Sequence, residues 1–201
     1  MSDFPIALHG ERVKAVIIGG GAVGTRKARG LIDAGAQVTV VAPEVTADLV
    51  DAERLRQLTI IREAYHRDRI KGATLVIAAT SSREVNAQIA IDARASGQLV
   101  NITDYPDEGN FHTMALHRSG DITIAVSSGG VPGAAARIRD AIAERFDSRY
   151  ERALSILRAL RARSIADRDE RWQAVAPKLL DSDFCSSVED GTFAEKVESW
   201  R

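Results

Sequence analysis

Val13-Lys14-Ala15-Val16-Ile17-Ile18-Gly19-Gly20-Gly21-Ala22-Val23-Gly24 decides the fold. Val13 to Ile18 is short, apolar and rich in β-branched residues, which reads as a buried strand. Three glycines follow at once. Ala22 to Ala34 then reads as a helix, with apolar residues at Ala22, Val23, Ala28, Leu31 and Ile32 and Gly35 in the position of a C-terminal stop. Gln37-Val38-Thr39-Val40-Val41 is a second strand, which Pro43 is expected to end. Strand, glycine turn, helix and strand together span about thirty residues, the length of a right-handed parallel crossover.

The alternation continues outward. A helix is expected over Thr46–Arg56, strands over Leu58–Arg62 and Ala73–Ala79, a helix capped by Ser82 and stopped by Gly97, and a fifth strand over Gln98–Thr103. Five strands with interleaved helices predict an α/β fold, a Rossmann-type doubly wound parallel sheet. After Phe111 the rhythm changes. Asp121–Ser127 alternates apolar and polar and reads as a half-exposed strand. Helices are expected over Gly133–Phe146, Tyr150–Ser164 and Asp167–Leu180, the last interrupted near Pro177. Phe193, Val197 and Trp200 share one face of a short amphipathic turn. The expected organisation is a nucleotide-binding domain over 1–113, a middle region over 114–148, and a C-terminal helical domain over 149–201.

Composition narrows the function classes. The chain has 201 residues, 45% of them hydrophobic, enough to bury a core without staples. A single cysteine, Cys185, excludes an internal disulfide framework and a cysteine-built metal site, so no metal site is expected. No apolar run reaches the ~18 residues of a membrane span, and Met1–Pro5 carries no basic, then apolar leader, so a cytoplasmic protein without membrane contact is expected. A net charge of −1 argues against a nucleic-acid surface. The near-zero sum hides an imbalance, however. Of the 27 basic residues 22 are Arg, and between Arg137 and Arg163 eight Arg and no Lys face four acids.

The glycine pattern Gly19-x-Gly21-x-x-Gly24 sits after a strand and opens a helix, which is the context that makes it a dinucleotide fingerprint. The first glycine permits the turn, the second lets a pyrophosphate approach the backbone, and the third lets helix and strand pack closely. The N–H groups of Ala22, Val23 and Gly24 then face the anion. The fingerprint expects an acid about 20 positions on, at the adenosine ribose. Pro43-Glu44 occupies that place. Two roles are open to Glu44, as a ribose ligand or as an acid starting the next helix. No Arg or Lys lies between 38 and 53, which favours NAD over NADP. Thr80, ending the fourth strand, lies on the ligand-binding edge and is a further cofactor candidate, unless it is only a strand-to-helix turn.

Asp104 follows the fifth strand at the same edge, where a carboxylate is either a general base or a turn former in Asp104-Tyr105-Pro106-Asp107. His112 and His117 are nearby candidates for proton transfer or metal contact. Ser127-Ser128-Gly129-Gly130 feeds a helix whose N-terminus can hold a carboxylate. Arg137 lies one to two turns further on, suited to fork a carboxylate. Asn101 joins these as a substrate-binding candidate.

Taken in order, Phe4-Pro5, Gly19-Gly20-Gly21-x-Val23, Arg26-Lys27, the run Ala34 to Glu44, Ile77-Ala78-Ala79-Thr80, Val85-Asn86, Leu99 to Asp104, Phe111, Ile124 to Gly130 and Ala136-Arg137 resemble the precorrin-2 dehydrogenase / sirohydrochlorin ferrochelatase family, the NAD-dependent part of siroheme synthase. The resemblance implies that NAD⁺ takes a hydride from the polycarboxylate tetrapyrrole precorrin-2 to give sirohydrochlorin, and that some members also insert Fe²⁺. It implies Asp104 as the catalytic aspartate, Ala22-Val23 and Pro43-Glu44 as NAD contacts, and a homodimer formed through about 114–148. Val131-Pro132-Gly133 and Met114 depart from the family's pattern on the substrate and dimer side. Two other readings remain open: an NAD-dependent enzyme acting on another polycarboxylate, and a non-catalytic NAD-sensing module.

Overall fold

The computed structural model describes residues 3–166 and 171–198. The chain forms two compact units that divide between Thr113 and Met114. In the first unit the strands are β1 (Lys14–Gly20), β2 (Gln37–Val45), β3 (Leu58–Ile61), β4 (Leu75–Ala78) and β5 (Leu99–Ile102). They form one sheet in the order β3-β2-β1-β4-β5, every neighbouring pair parallel. Helices α1 (Ala22–Asp33), α2 (Ala47–Arg54) and α3 (Arg83–Ala95) lie in the crossovers. The Rossmann-type expectation therefore holds.

A parallel strand covered on both faces reads as an unbroken apolar run, and β1 is buried from Ala15 onward. Ala15, Ile17, Val38, Val40, Leu75 and Ile77 build one core with Ala28 of α1 and Leu49 of α2. Val16, Ile18, Val76, Ala78, Val100 and Ile102 build the other with Ile89, Ala90 and Ala93 of α3. The strand order reverses at β1, so the crevice of a doubly wound sheet opens between the ends of β1 and β4.

Helix ends follow the sequence closely. Gly35 has φ +80° and Gly97 φ +67°. At each, two N–H groups fold back onto the last turn: Gly35 to Ile32 and Ala36 to Leu31, Gly97 to Arg94 and Gln98 to Ala93. Only glycine enters that left-handed region without strain. Ser82 caps α3 by accepting from the Val85 N–H. The expected end of β2 is corrected. The strand runs through Pro43 to Val45, because its register with β1 slips there: Ile18 faces Val41, but Gly20 faces Val45. Proline is tolerated at such an irregularity, where its missing N–H breaks no ladder bond.

The second unit begins with a hairpin, β6 (Ala115–Ser119) and β7 (Ile122–Val126), antiparallel with Ser119 opposite Ile122. The sequence reading finds β7 and misses β6. Gly120, at φ +55°, supplies the tight turn. Helices α4 (Pro132–Arg145), α5 (Ser148–Ala166), α6 (Arg171–Leu179), α7 (Phe184–Asp190) and α8 (Phe193–Glu198) follow. Pro177 does not interrupt α6, which continues to Leu179. Residues Asp167–Glu170 of the expected third helix and Trp200 of the expected amphipathic turn lie outside the described residues. Tyr150, Ala153, Leu157, Leu179, Val188, Phe193 and Val197 form this unit's core.

Four of the eight Arg between 137 and 163 form ion pairs inside this unit. Arg145 and Tyr150 both reach Glu189, at 2.6 Å and 2.7 Å. Arg149 pairs with Asp147, Arg139 with Asp140, and Arg158 with Asp121. The Glu189 carboxyl is held below the usual carboxylate range, first by the Arg145 hydrogen bond and then by the Tyr150 hydroxyl. The folded chain thus binds this proton more weakly than the unfolded chain. The stabilisation is complete above the ordinary glutamate value and drains away as the pH falls through the lower folded value. Glu189→Gln is expected to lower Tm at neutral pH, with the gap to the unmodified chain closing as the pH falls below the ordinary glutamate range. Thermal unfolding of both proteins across that range measures it, and an unchanged gap at the acid end rules out the ion pair as its source.

Candidate functional site

Four segments meet at the C-terminal edge of the first unit's sheet: the glycine turn, the β2 tip, the β4 end and the β5 end. Three glycines of the turn are required by what surrounds them. A Cβ at Gly19 would lie 2.2 Å from the Ala79 carbonyl oxygen, one at Gly20 2.2 Å from that of Glu44, and one at Gly24 2.1 Å from that of Gly19. Gly21 is different, since a Cβ there meets nothing within 4 Å. It faces open space, and it is the N-cap of α1 without a side-chain cap.

The first N–H of this helix to find a helical acceptor is that of Thr25, on the Gly21 carbonyl at 2.9 Å. Ala22, Val23 and Gly24 precede it, so their N–H groups point out of the helix end. No acid lies in the first turn. Val23 is 38% exposed, an apolar side chain beside this open end. Pro43 and Glu44 are exposed on the β2 tip. These features suit a dinucleotide: an unobstructed backbone concavity for the pyrophosphate and a carboxylate at the strand tip for a ribose.

Two threonines that the sequence reading passes over fasten this concavity. The Thr25 hydroxyl donates to the Gly21 carbonyl and lies 2.8 Å from the Thr46 hydroxyl. The Thr46 N–H donates to the Gly20 carbonyl. Turn and β2 tip are thereby one piece. A threonine four residues after the second glycine is the only local signal for it.

At the β4 end, Thr80 is turned inward. Its N–H donates to the Asn86 Oδ1, its carbonyl accepts from the Asn86 Nδ2, and its hydroxyl lies 2.7 Å from that Oδ1 and accepts from the Ser82 N–H. Its polar groups are all engaged within the turn. Asp104 is exposed just beyond β5. The Asn86 Nδ2 donates to its Oδ1 at 2.9 Å. Asn86 itself is 0% exposed. The loop after Asp104 is clasped to α3 by Arg83, which pairs with Glu108 and stands 5.1 Å over the Tyr105 ring. Neither Asn86 nor Arg83 is singled out by sequence chemistry.

Asn101 is 6% exposed, and its amide donates to the Phe111 carbonyl at 3.1 Å. It ties β5 to the segment that follows. Ser127, Ser128, Gly129, Gly130 and Arg137 belong to the second unit. Gly129 and Gly130 have φ of +59° and +90°. The Ser128 hydroxyl donates to the Val131 carbonyl, ahead of α4. Arg137 is exposed on α4 and has no ion-pair partner among the described residues. His117 is bound to the Phe146 carbonyl at 2.6 Å, a packing role inside the second unit. Among the described residues no three His, Cys, Asp or Glu side chains converge on a metal position.

A parallel sheet of this order, with an open glycine turn at a helix N-terminus, defines a dinucleotide-binding protein. Residues 6–115 match the NAD_binding_7 family model, described as NAD(P)-binding, and the chain belongs to that family. Among curated relatives, the siroheme synthase of Chromobacterium violaceum is 37% identical over 76% of this chain and 33% of its own length. That of Methylococcus capsulatus is 35% identical over 89% of this chain and 36% of its own. The chain thus spans about a third of the length of these relatives. The solved structure of SirC, precorrin-2 dehydrogenase, has the same fold, with a TM-score of 0.76 at 24% identity over 98% of this chain and all of that one.

Proposed function

We propose that the chain oxidises precorrin-2 to sirohydrochlorin with NAD⁺. The observation that carries this is the exposed Asp104 carboxylate at the β5 end, on the same sheet edge as the open Gly21 turn. The siroheme synthases it resembles and the fold shared with a precorrin-2 dehydrogenase support the substrate. When bound, NAD⁺ would supply the acceptor for the hydride lost by the macrocycle. Ala22, Val23 and Gly24 would hold the pyrophosphate with their N–H groups, Gly21 would give it room, Gly19 shapes the turn against Ala79, and Pro43-Glu44 would meet the ribose, with the Thr80 turn bordering the cofactor. The β2 tip offers no cation to a 2′-phosphate, so NAD⁺ is preferred to NADP⁺. Asp104 accepts the proton that leaves the macrocycle as the hydride departs. Ser127, Ser128, Gly129, Gly130 and Arg137 hold substrate carboxylates.

The second unit is proposed to divide into a dimerisation region over 114–148 and a helical part over 149–201. Exposed Leu116, Val131 and Ile138 on the hairpin and α4 supply apolar surface for a second copy. The enzyme is proposed to work in the cytoplasm, beside its NAD⁺ pool. Incubation of the chain with precorrin-2 and NAD⁺ is expected to produce the sirohydrochlorin absorbance spectrum with one NADH per turnover. No spectral change under conditions where NAD⁺ binds overturns the assignment.

The same carboxylate suits Fe²⁺ insertion, which displaces two pyrrole protons, and we include that as a second activity. Sirohydrochlorin with Fe²⁺ and no NAD⁺ is expected to give siroheme faster with protein than without. Equal rates remove the chelatase step while leaving the dehydrogenase intact.

A further inference from the structure

We infer that Asn86 is the positioning residue for Asp104, a buried amide that aims the carboxylate and joins it to the Thr80 turn. The inference rests on the proposed dehydrogenation.

Asn86 stands in the first turn of α3, where asparagine is a mediocre helix former. It is wholly buried, and a buried amide is costly unless its hydrogen bonds are made. All four are made here. The Oδ1 receives the Thr80 N–H at 3.2 Å and faces the Thr80 hydroxyl at 2.7 Å. The Nδ2 gives one proton to the Thr80 carbonyl at 3.2 Å and the other to the Asp104 Oδ1 at 2.9 Å. The orientation of the amide is fixed by chemistry. The Thr80 N–H only donates, so the oxygen faces it. The carbonyl and carboxylate only accept, so the NH₂ faces them.

The consequence falls on Asp104. An exposed aspartate after a strand would sample several rotamers. One oxygen of this one is tethered to a group that cannot move, since the same amide is bonded on its other side to the β4 end. The second oxygen, Oδ2, has no hydrogen-bond partner among the described residues and is presented outward. Arg83 of α3 feels the Asp104 charge as a lesser influence, after its hydrogen bond to Glu108. Thr103 adds rigidity by donating its N–H to the Ala78 carbonyl, so β4 and β5 end together. A hydrophobic side chain of asparagine's size would leave the Thr80 N–H and carbonyl unpaired and would aim nothing. The bond to Asp104 is the one the turn itself does not need, and it fixes an orientation, which governs proton-transfer efficiency.

The test compares Asn86→Ala and Asn86→Asp with the unmodified chain. Asn86→Asp keeps the acceptor for the Thr80 N–H, loses the donors to the Thr80 carbonyl and to Asp104, and sets a second carboxylate against Asp104. Both variants are expected to lower kcat about 10- to 100-fold. KM for precorrin-2, and the Kd of NAD⁺ measured by calorimetry without substrate, are expected to stay within about threefold. The decisive arm is the coupling. Asn86→Ala is expected to leave the residual rate of Asp104→Ala unchanged within about twofold, because the group it aims is gone. An unaltered kcat in either variant that folds, or an equal loss in the Asp104→Ala background, overturns the inference and leaves the dehydrogenase standing. An unmodified chain that binds NAD⁺ without oxidising precorrin-2 overturns the dehydrogenase, and the positioning role with it.

Discussion

Asp104→Asn is expected to remove precorrin-2 oxidation almost completely, lowering kcat by about 10²- to 10⁴-fold. The argument is one of proton balance. Oxidation of the macrocycle sends two electrons and one hydrogen away as hydride, and a proton must leave as well. A carboxylate can take it and a carboxamide cannot. The substitution is nearly isosteric, and the new amide can still accept from the Asn86 Nδ2 through its oxygen, so the loop keeps its 2.9 Å tether. Asp104 lies away from the concavity formed by Gly21 and the first turn of α1, so NAD⁺ affinity is expected to stay within about threefold. Single-turnover absorbance with calorimetry on the same samples separates the two effects. Full oxidation by Asp104→Asn would take the proton-accepting role from this residue, whatever the chain's activity proves to be.

How far the sequence could be read depended on the range of the contacts involved. The glycine turn was legible because its causes are local: a strand runs into it and a helix leaves it. The stops at Gly35 and Gly97 were legible for the same reason, since each demands a left-handed residue at a helix end. Pro43 misled the reading because the register slip that tolerates it is a property of two strands, not one. β6 was missed because Ala115-Leu116-His117-Arg118-Ser119 carries few strand formers and becomes a strand by pairing with β7. The Arg-rich region showed the same limit in its chemistry. Counting residues gave a local surplus of positive charge, but Glu189 and Asp121, far away in sequence, absorb two of those arginines. Arg137 is what remains of that surplus near the 127–130 turn. Asn86 was visible as part of a motif and not as a participant, because its burial comes from α3 crossing the ends of β4 and β5.

Two of the three fingerprint glycines should separate folding from binding. Gly24→Ala places a Cβ 2.1 Å from the Gly19 carbonyl oxygen, closer than real Cβ contacts occur, and the neighbour is backbone. Helix propensity alone would favour alanine there by about 1 kcal/mol. The clash forces α1 away from β1, at a cost of about 1–3 kcal/mol, and overrides that gain. Gly24→Ala is therefore expected to lower stability in denaturant titrations. Gly21→Ala meets nothing within 4 Å, and its φ of −78° suits any residue. Its stability is expected to change by no more than about 1 kcal/mol, the cost of alanine at an N-cap. The methyl instead enters the space in front of the free N–H groups of α1. NAD⁺ affinity is expected to fall at least about tenfold, equivalent to about 1.4 kcal/mol. Calorimetric titration of NAD⁺ into Gly21→Ala decides the point, because unmodified affinity there would move the pyrophosphate off this turn. Retained stability in Gly24→Ala would show that the helix and strand can part without loss, against the close packing that the third glycine allows.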